Sequence, residues 1–190
     1  MVRGTFSPAR AWRLAVGPAS TRTLGPTNVP FSLLPLSTSA LEWLATPSAP
    51  GELSSRAAPG ALPPSFVAAR ALKLEAEAGS ELVPTSYLIV RDYDSSFVGA
   101  CGFKTKLGVG RVEVGYGVAP TVQGKGAATT ALKLLSEIAF ASGATEVLAE
   151  ILPENTASIR VVQKVGFLQV GARVDEDNEY VTQWVLRGGA

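Results

Sequence analysis

Apolar and polar positions divide residues 87–187 into short strand-like runs and two helical stretches. Residues 87–91, 97–104 and 111–118 are each rich in β-branched, aromatic and small apolar residues, and turn residues separate them at 92–96 and 107–110. They are expected as three consecutive strands of an antiparallel meander. The spacing then lengthens. Leu132, Leu135, Ile138 and Ala139 recur at helical intervals, which predicts a helix over 124–142 that Gly143 stops. Residues 146–151 return to strand, and Pro153 breaks it. A second helix is expected over 155–165, with Ile159, Val162 and Val165 inward and Gly166 at its C-cap. Residues 167–173 and 180–187 close the pattern as a hairpin around an acidic turn.

The first half is less regular. Residues 31–36 read as a strand, and Pro35 favours an edge position because it cannot donate to a neighbour. A short helix is expected over 37–44, with Ser37 or Ser39 as N-cap. Residues 46–65 are a low-complexity stretch of Pro, Ala, Gly and Ser, expected as a long loop. A helix over 66–78 follows, ended by Gly79. Residues 1–29 read as an N-terminal extension with one short strand at 12–16, ahead of a single domain over 30–190. No internal repeat is visible.

Composition narrows the function classes. The chain has 190 residues, 46% hydrophobic and 17% charged, enough to bury a full core. A formal charge of +1 argues against a nucleic-acid partner. The charge is uneven: Arg3, Arg10, Arg13 and Arg22 precede the first acid, Glu42, and Asp175, Glu176, Asp177 and Glu179 cluster. That cluster reads as a solvated turn in preference to a site for a cationic amine. One cysteine, Cys101, excludes an internal disulfide and a Cys-cluster zinc site, and it reads as a small buried strand residue. With no histidine, His-dependent triads and His-ligated metals are excluded, so no metal site is expected. No apolar run reaches ~18 residues, so no membrane span is expected. The arginines and small residues of the N-terminus are faintly like a transit peptide, but Arg13 interrupts its short apolar patch. The expected location is cytoplasmic.

The chemistry concentrates at residues 112–128, VEVGYGVAPTVQGKGAA. A strand ends in a proline turn, and Gly124, Lys125, Gly126, Ala127 and Ala128 open the expected helix. Unpaired N–H groups at a helix start attract an anion, and glycine lets the backbone approach a phosphate closely. Lys125 adds positive charge there. The common phosphate motifs do not fit. A P-loop would need Gly at Ala119 and Ser or Thr at Gly126, and a dinucleotide fingerprint would need Gly at Thr129 or Pro120.

The wider context is more specific. Gln123-Gly124-Lys125-Gly126-Ala127-Ala128 resembles the acetyl-CoA signature of the GNAT superfamily of N-acetyltransferases, Gln/Arg-x-x-Gly-x-Gly/Ala. About thirty residues on, Asn155, Ser158 and Arg160, then Lys164, Gly166 and Phe167, resemble the second signature of its ribosomal-protein branch. The resemblance covers residues 86–187 well, 31–78 more weakly, and 1–29 not at all. It implies an α/β (α+β) fold: one domain with a mixed, mostly antiparallel sheet of about seven strands flanked by helices. It implies acetyl transfer from the cosubstrate acetyl-CoA to a primary amine. A protein N-terminal α-amine is the leading acceptor, a small-molecule amine the alternative, and a non-catalytic acyl-CoA-binding module the rival. A monomer or a homodimer fits equally.

The resemblance also implies roles. The cofactor would lie between the fourth and fifth strands, with the backbone around Val118 on the pantetheine and thioester. The N–H groups of residues 124–128 would hold the pyrophosphate, Gln123 would open that loop, and Asn155 would face the pantetheine besides capping its helix. Ser158 would protonate the departing thiolate, unless it is a helix-surface serine. Strand alternation adds an independent clue: Glu113, Gly115 and Gly117 share a face opposite Val112, Val114, Tyr116 and Val118. A lone carboxylate beside two glycines marks Glu113 as candidate general base, or as the partner of a cross-strand Lys or Arg. Glu150 is the rival base. Tyr116 is the weaker candidate acid because it shares its face with valines. Residues 46–65 fall where the family places its acceptor-binding wall.

Overall fold

A computed structural model describes residues 30–46, 51–78, 84–175 and 178–189. The expected strand at 12–16 and the residues Glu176 and Asp177 lie outside them. Seven strands form one sheet: β1 (Phe31–Pro35), β2 (Ser86–Arg91), β3 (Ser96–Phe103), β4 (Gly110–Val118), β5 (Ala144–Ile151), β6 (Leu168–Val174) and β7 (Tyr180–Arg187). Their spatial order is β1-β2-β3-β4-β5-β7-β6. All neighbours are antiparallel except β4 and β5. The expected meander is β2-β3-β4, and β1 with Pro35 takes a sheet edge as expected.

Helices cover both faces. The helices α1 (Thr38–Leu44), α2 (Gly51–Arg56) and α3 (Ser65–Ala78) pack on one, where Leu41, Leu44 and Leu53 meet Leu88 and Phe97. The helices α4 (Ala127–Ala141) and α5 (Thr156–Val165) pack on the other, where Ala131, Leu132, Leu135 and Ala139 meet Val112, Val114 and Val147. Ser37 caps α1, its hydroxyl accepting from the Ala40 N–H at 3.2 Å. Gly166 ends α5 in the left-handed region, φ +103°, a conformation that costs glycine little.

Two expectations are corrected. The stretch 46–65 is not a structureless loop: it contains α2, and Ala57 makes a parallel bridge to Phe97. Tertiary packing overrides its turn-rich composition, because Leu53 is 1% exposed in the second core. The Arg56 guanidinium anchors the same stretch, 4.5 Å from the Phe97 ring centroid and 2.6 Å from the Ser95 carbonyl. The second correction concerns the helix expected from residue 124. A 3₁₀ turn occupies Pro120–Val122, Gly124 and Gly126 adopt φ of +76° and +90°, and α4 starts only at Ala127.

The splay of the sheet positions everything that follows. The parallel ladder of β4 and β5 runs from Gly110↔Ala144 to Glu113↔Leu148 and stops there. Both strands continue for several residues without pairing to each other, β4 held by β3 and β5 by β7, so a gap opens between them. Below the gap, Glu146 of β5 binds Arg111 of β4 at 2.7 Å and Arg187 of β7 at 3.0 Å, which ties three strands together at the closed end.

Candidate active site

The β3–β4 ladder determines which backbone groups face the gap. Lys104 N–H donates to the Glu113 carbonyl, and Ala119 N–H donates to the Val98 carbonyl. Hydrogen-bonding residues alternate along a strand, so Gly115 and Gly117 also turn their backbone groups toward β3. Tyr116 and Val118 turn theirs toward β5, where pairing has ended. The chain thus presents peptide groups at residues 116 and 118 to a ligand threaded into the gap.

A cleft of about 430 Å³ opens there, between β4, the loop at 123–126, α4 and α5. Gln123 lines it and donates from Nε2 to the Val118 carbonyl at 3.4 Å. Gly124, Gly126, Ala127 and Ala128 also line it. The first backbone bond closing α4 runs from Thr130 N–H to the Gly126 carbonyl, so the N–H groups of residues 127–129 have no acceptor within the helix. A Cβ built on Gly117, Gly124 or Gly126 would meet nothing within 4 Å. That open space next to a row of donors suits an anion. Lys125 does not line the cleft as expected; its ammonium donates to the Thr121 carbonyl at 3.3 Å. Arg160 and Lys164 of α5 line the cleft instead, and no carboxylate is among its described lining residues. Their spacing of four places both on one helix face, a signal the sequence carried. Donors, glycines and two cations fit a polyphosphate-bearing group such as CoA.

Asn155 caps α5, its Oδ1 accepting from the Ser158 N–H at 3.1 Å, and both residues line the cleft. The Tyr116 hydroxyl donates to the Ser158 carbonyl at 3.2 Å. Burial pushes the Tyr116 phenol up, opposed only in part by a hydrogen bond with the Ser158 side chain, so it stays protonated. Structure therefore brings Val118, Gln123, Gly124, Gly126, Ala127, Ala128, Asn155 and Ser158 to one cleft and leaves Lys125 outside it.

A second chamber of about 300 Å³ lies on the other side of β4. Gly115 and Gly117 line it, opposite Leu62, Phe66 and Val67 from the segment leading into α3 and from α3 itself. Tyr116 and Gly117 line both cavities, so the two meet on one stretch of β4. Cys101 lies at the chamber wall, but burial pushes its thiol up to about 12, which removes it as a nucleophile near neutral pH.

Glu113 sits where the gap begins, with its side chain 14% exposed. It lines neither cavity itself. Its Oε1 accepts from the Lys104 ammonium, the cross-strand pairing that the sequence left open, and Lys104 lines the second chamber. Glu150 is differently placed. Burial pushes its carboxyl up, but two hydrogen bonds from the Arg173 guanidinium, both 2.7 Å, and one from Gln183 at 2.9 Å together hold it below the usual carboxylate range. A carboxylate so fully engaged makes a poor base.

Comparison with known proteins follows the same lines. The model of the family described as "Acetyltransferase (GNAT) domain" matches residues 49–168. An uncharacterized N-acetyltransferase, p20, of Bacillus licheniformis is 34% identical over 86 residues, 44% of this chain and 48% of that protein. The matched stretch thus spans about half the length of this relative. Among solved structures, the ribosomal-protein-S5-alanine acetyltransferase of Vibrio fischeri superposes with a TM-score of 0.59 at 15% identity, covering 86% of this chain and 96% of that one. Mycobacterium smegmatis RimJ in complex with CoA-disulfide gives 0.57 at 20% identity, covering 86% of each chain. At these identities the structural likeness concerns the fold.

Proposed function

The chain belongs to the GNAT acetyltransferase family, and from that premise we propose that it is an acetyl-CoA-dependent N-acetyltransferase acting on a primary amine, foremost a protein N-terminal α-amine. The observation that carries this reading is the meeting of a polyphosphate-suited cleft and an apolar chamber at Tyr116 and Gly117. A transferase that joins two substrates directly needs two such rooms with a shared wall.

Acetyl-CoA supplies an acetyl group activated as a thioester. The chain's residues do the rest. The N–H groups of Gly124, Gly126, Ala127 and Ala128, with Arg160 and Lys164, hold the phosphates. The peptide groups of residues 116 and 118 hold the pantetheine arm, and an N–H there offers a hydrogen bond to developing negative charge. Asn155 fixes the start of α5 and hence the position of Ser158. Glu113 takes a proton from the acceptor ammonium, directly or through water, so that a neutral amine attacks. The Ser158 hydroxyl, beside the half-buried Tyr116 phenol, supplies a proton to the departing thiolate. The protonated state of Cys101 supports direct transfer over an acyl-cysteine route.

Release of CoA thiol from acetyl-CoA in the presence of N-terminal peptides or small amines tests the reading. Turnover with peptides is expected. Turnover of small amines alone would sink the peptide acceptor, and acetyl-CoA binding without CoA release would reduce the protein to a binding module.

A further inference from the structure

The charges around the second chamber select among acceptors, given the transferase reading above. Two of its described lining residues are charged, Lys104 and Arg70, and both are cations. Lys104 is fixed to Glu113 twice: its N–H donates to the Glu113 carbonyl at 2.7 Å, and its ammonium donates to Oε1. Its aliphatic stem lies over Gly115, where a built Cβ would meet Lys104 Cδ at 3.4 Å and Cγ at 3.6 Å. The Lys104 ammonium thus stands where an acceptor ammonium must arrive to reach Glu113. Arg70, on α3, is exposed and has no ion pair among the described residues. The remaining wall is largely apolar, with Leu36, Leu62 and Phe66 prominent.

We propose that the chamber accepts amines carrying a carboxylate near the amine, such as a peptide start with an acidic residue, by ion-pair exchange, and discriminates against polycationic amines, with Lys104 as the specificity-determining residue. The acceptor ammonium takes Lys104's place on Glu113, and the acceptor carboxylate takes Glu113's place on Lys104, aided by Arg70. The charges of Lys104 and Glu113 both stay paired through this exchange. A polyamine brings a second cation to a chamber that already holds two and no free carboxylate, so repulsion excludes it.

The test compares kcat/KM for the tetrapeptide amides Ala-Asp-Ala-Ala and Ala-Lys-Ala-Ala and for spermidine. The native protein should prefer the acidic peptide about tenfold or more, mainly through KM. Lys104→Met keeps the stem over Gly115 and removes the charge, so the preference should fall to about threefold or less while acetyl-CoA affinity is unchanged. Lys104→Arg should retain it, and Arg70→Ala, at an exposed position, should reduce it in part. Preference for spermidine or the lysine peptide, or an unaltered ratio in Lys104→Met, overturns the proposal while leaving an acetyltransferase. Calorimetry of the same amines on CoA-saturated protein separates the two claims. Charge-selective binding without turnover would uphold the chamber and sink the transfer reading, whereas absence of any amine binding would overturn the chamber.

Discussion

Glu113 faces Leu148 across the last rung of the β4–β5 ladder, and beyond that rung the strands part. The candidate base therefore stands at the apex of the gap, on the glycine face, while the peptide groups of residues 116 and 118 line the opening above it. If Glu113 accepts the acceptor's proton, Glu113→Gln should lower turnover by about 10²-fold or more at unchanged acetyl-CoA affinity. Initial rates and a binding titration on the same sample check this. Unchanged turnover would remove Glu113 from the mechanism.

Ser158 and Asn155 should separate in the same assay. Ser158→Ala removes the hydroxyl and leaves the backbone contacts to Asn155 and Tyr116, so turnover should fall with little change in melting temperature. Asn155→Ala removes a helix cap, which should cost about 1 kcal/mol of stability as well as weakening acetyl-CoA binding. Thermal melts beside kinetics distinguish the two patterns. Equal loss of stability in both would make Ser158 structural.

Gly99 of β3 offers a steric test of the gap's near wall. A Cβ there would lie 2.3 Å from the Gly117 carbonyl oxygen and 3.0 Å from Val118 Cα. Neither is a flexible side chain that can swing aside. Gly99→Ala should destabilise by about 1–3 kcal/mol and displace residues 117–118. Denaturant unfolding and acetyl-CoA titration should both register the change.

Acid should loosen the β5–β7–β6 side of the sheet. Glu150 binds Arg173 of β6 and Gln183 of β7, and its carboxyl is held below its ordinary value. A group with a depressed folded value contributes stability that is fully present above the unfolded value, about 4.3, and lost as pH falls through the folded one. Melting temperature should therefore drop below pH ~4 in the native protein. Glu150→Gln should melt lower at neutral pH and depend less on acid. Parallel curves for the two proteins would contradict the assignment.

The sequence made the strands legible because burial on a sheet writes itself as local alternation. Pro35 at an edge and Asn155 at a cap were legible for similar local reasons, whereas the link between residues 123–128 and 155–167 came from the family resemblance. What escaped depends on distant partners. Leu53 turns a Pro- and Ser-rich stretch into α2 only because Phe97, some forty residues on, receives it. The late start of α4 follows from two left-handed glycines, since glycine composition alone does not tell a turn from a helix entrance. Lys104 meets Glu113 through the β3–β4 register, which neither strand specifies by itself.

The central claim is that the loop at 123–128 holds acetyl-CoA, and calorimetric titration of acetyl-CoA into the native protein and into Gly126→Glu tests it most directly. The native protein should bind one equivalent. Gly126→Glu would place a carboxylate where the pyrophosphate belongs, at a position that favours glycine by its φ of +90°, and should abolish binding while circular dichroism shows a folded chain. Retained binding by the folded variant, or none by the native protein, would contradict the placement of the site.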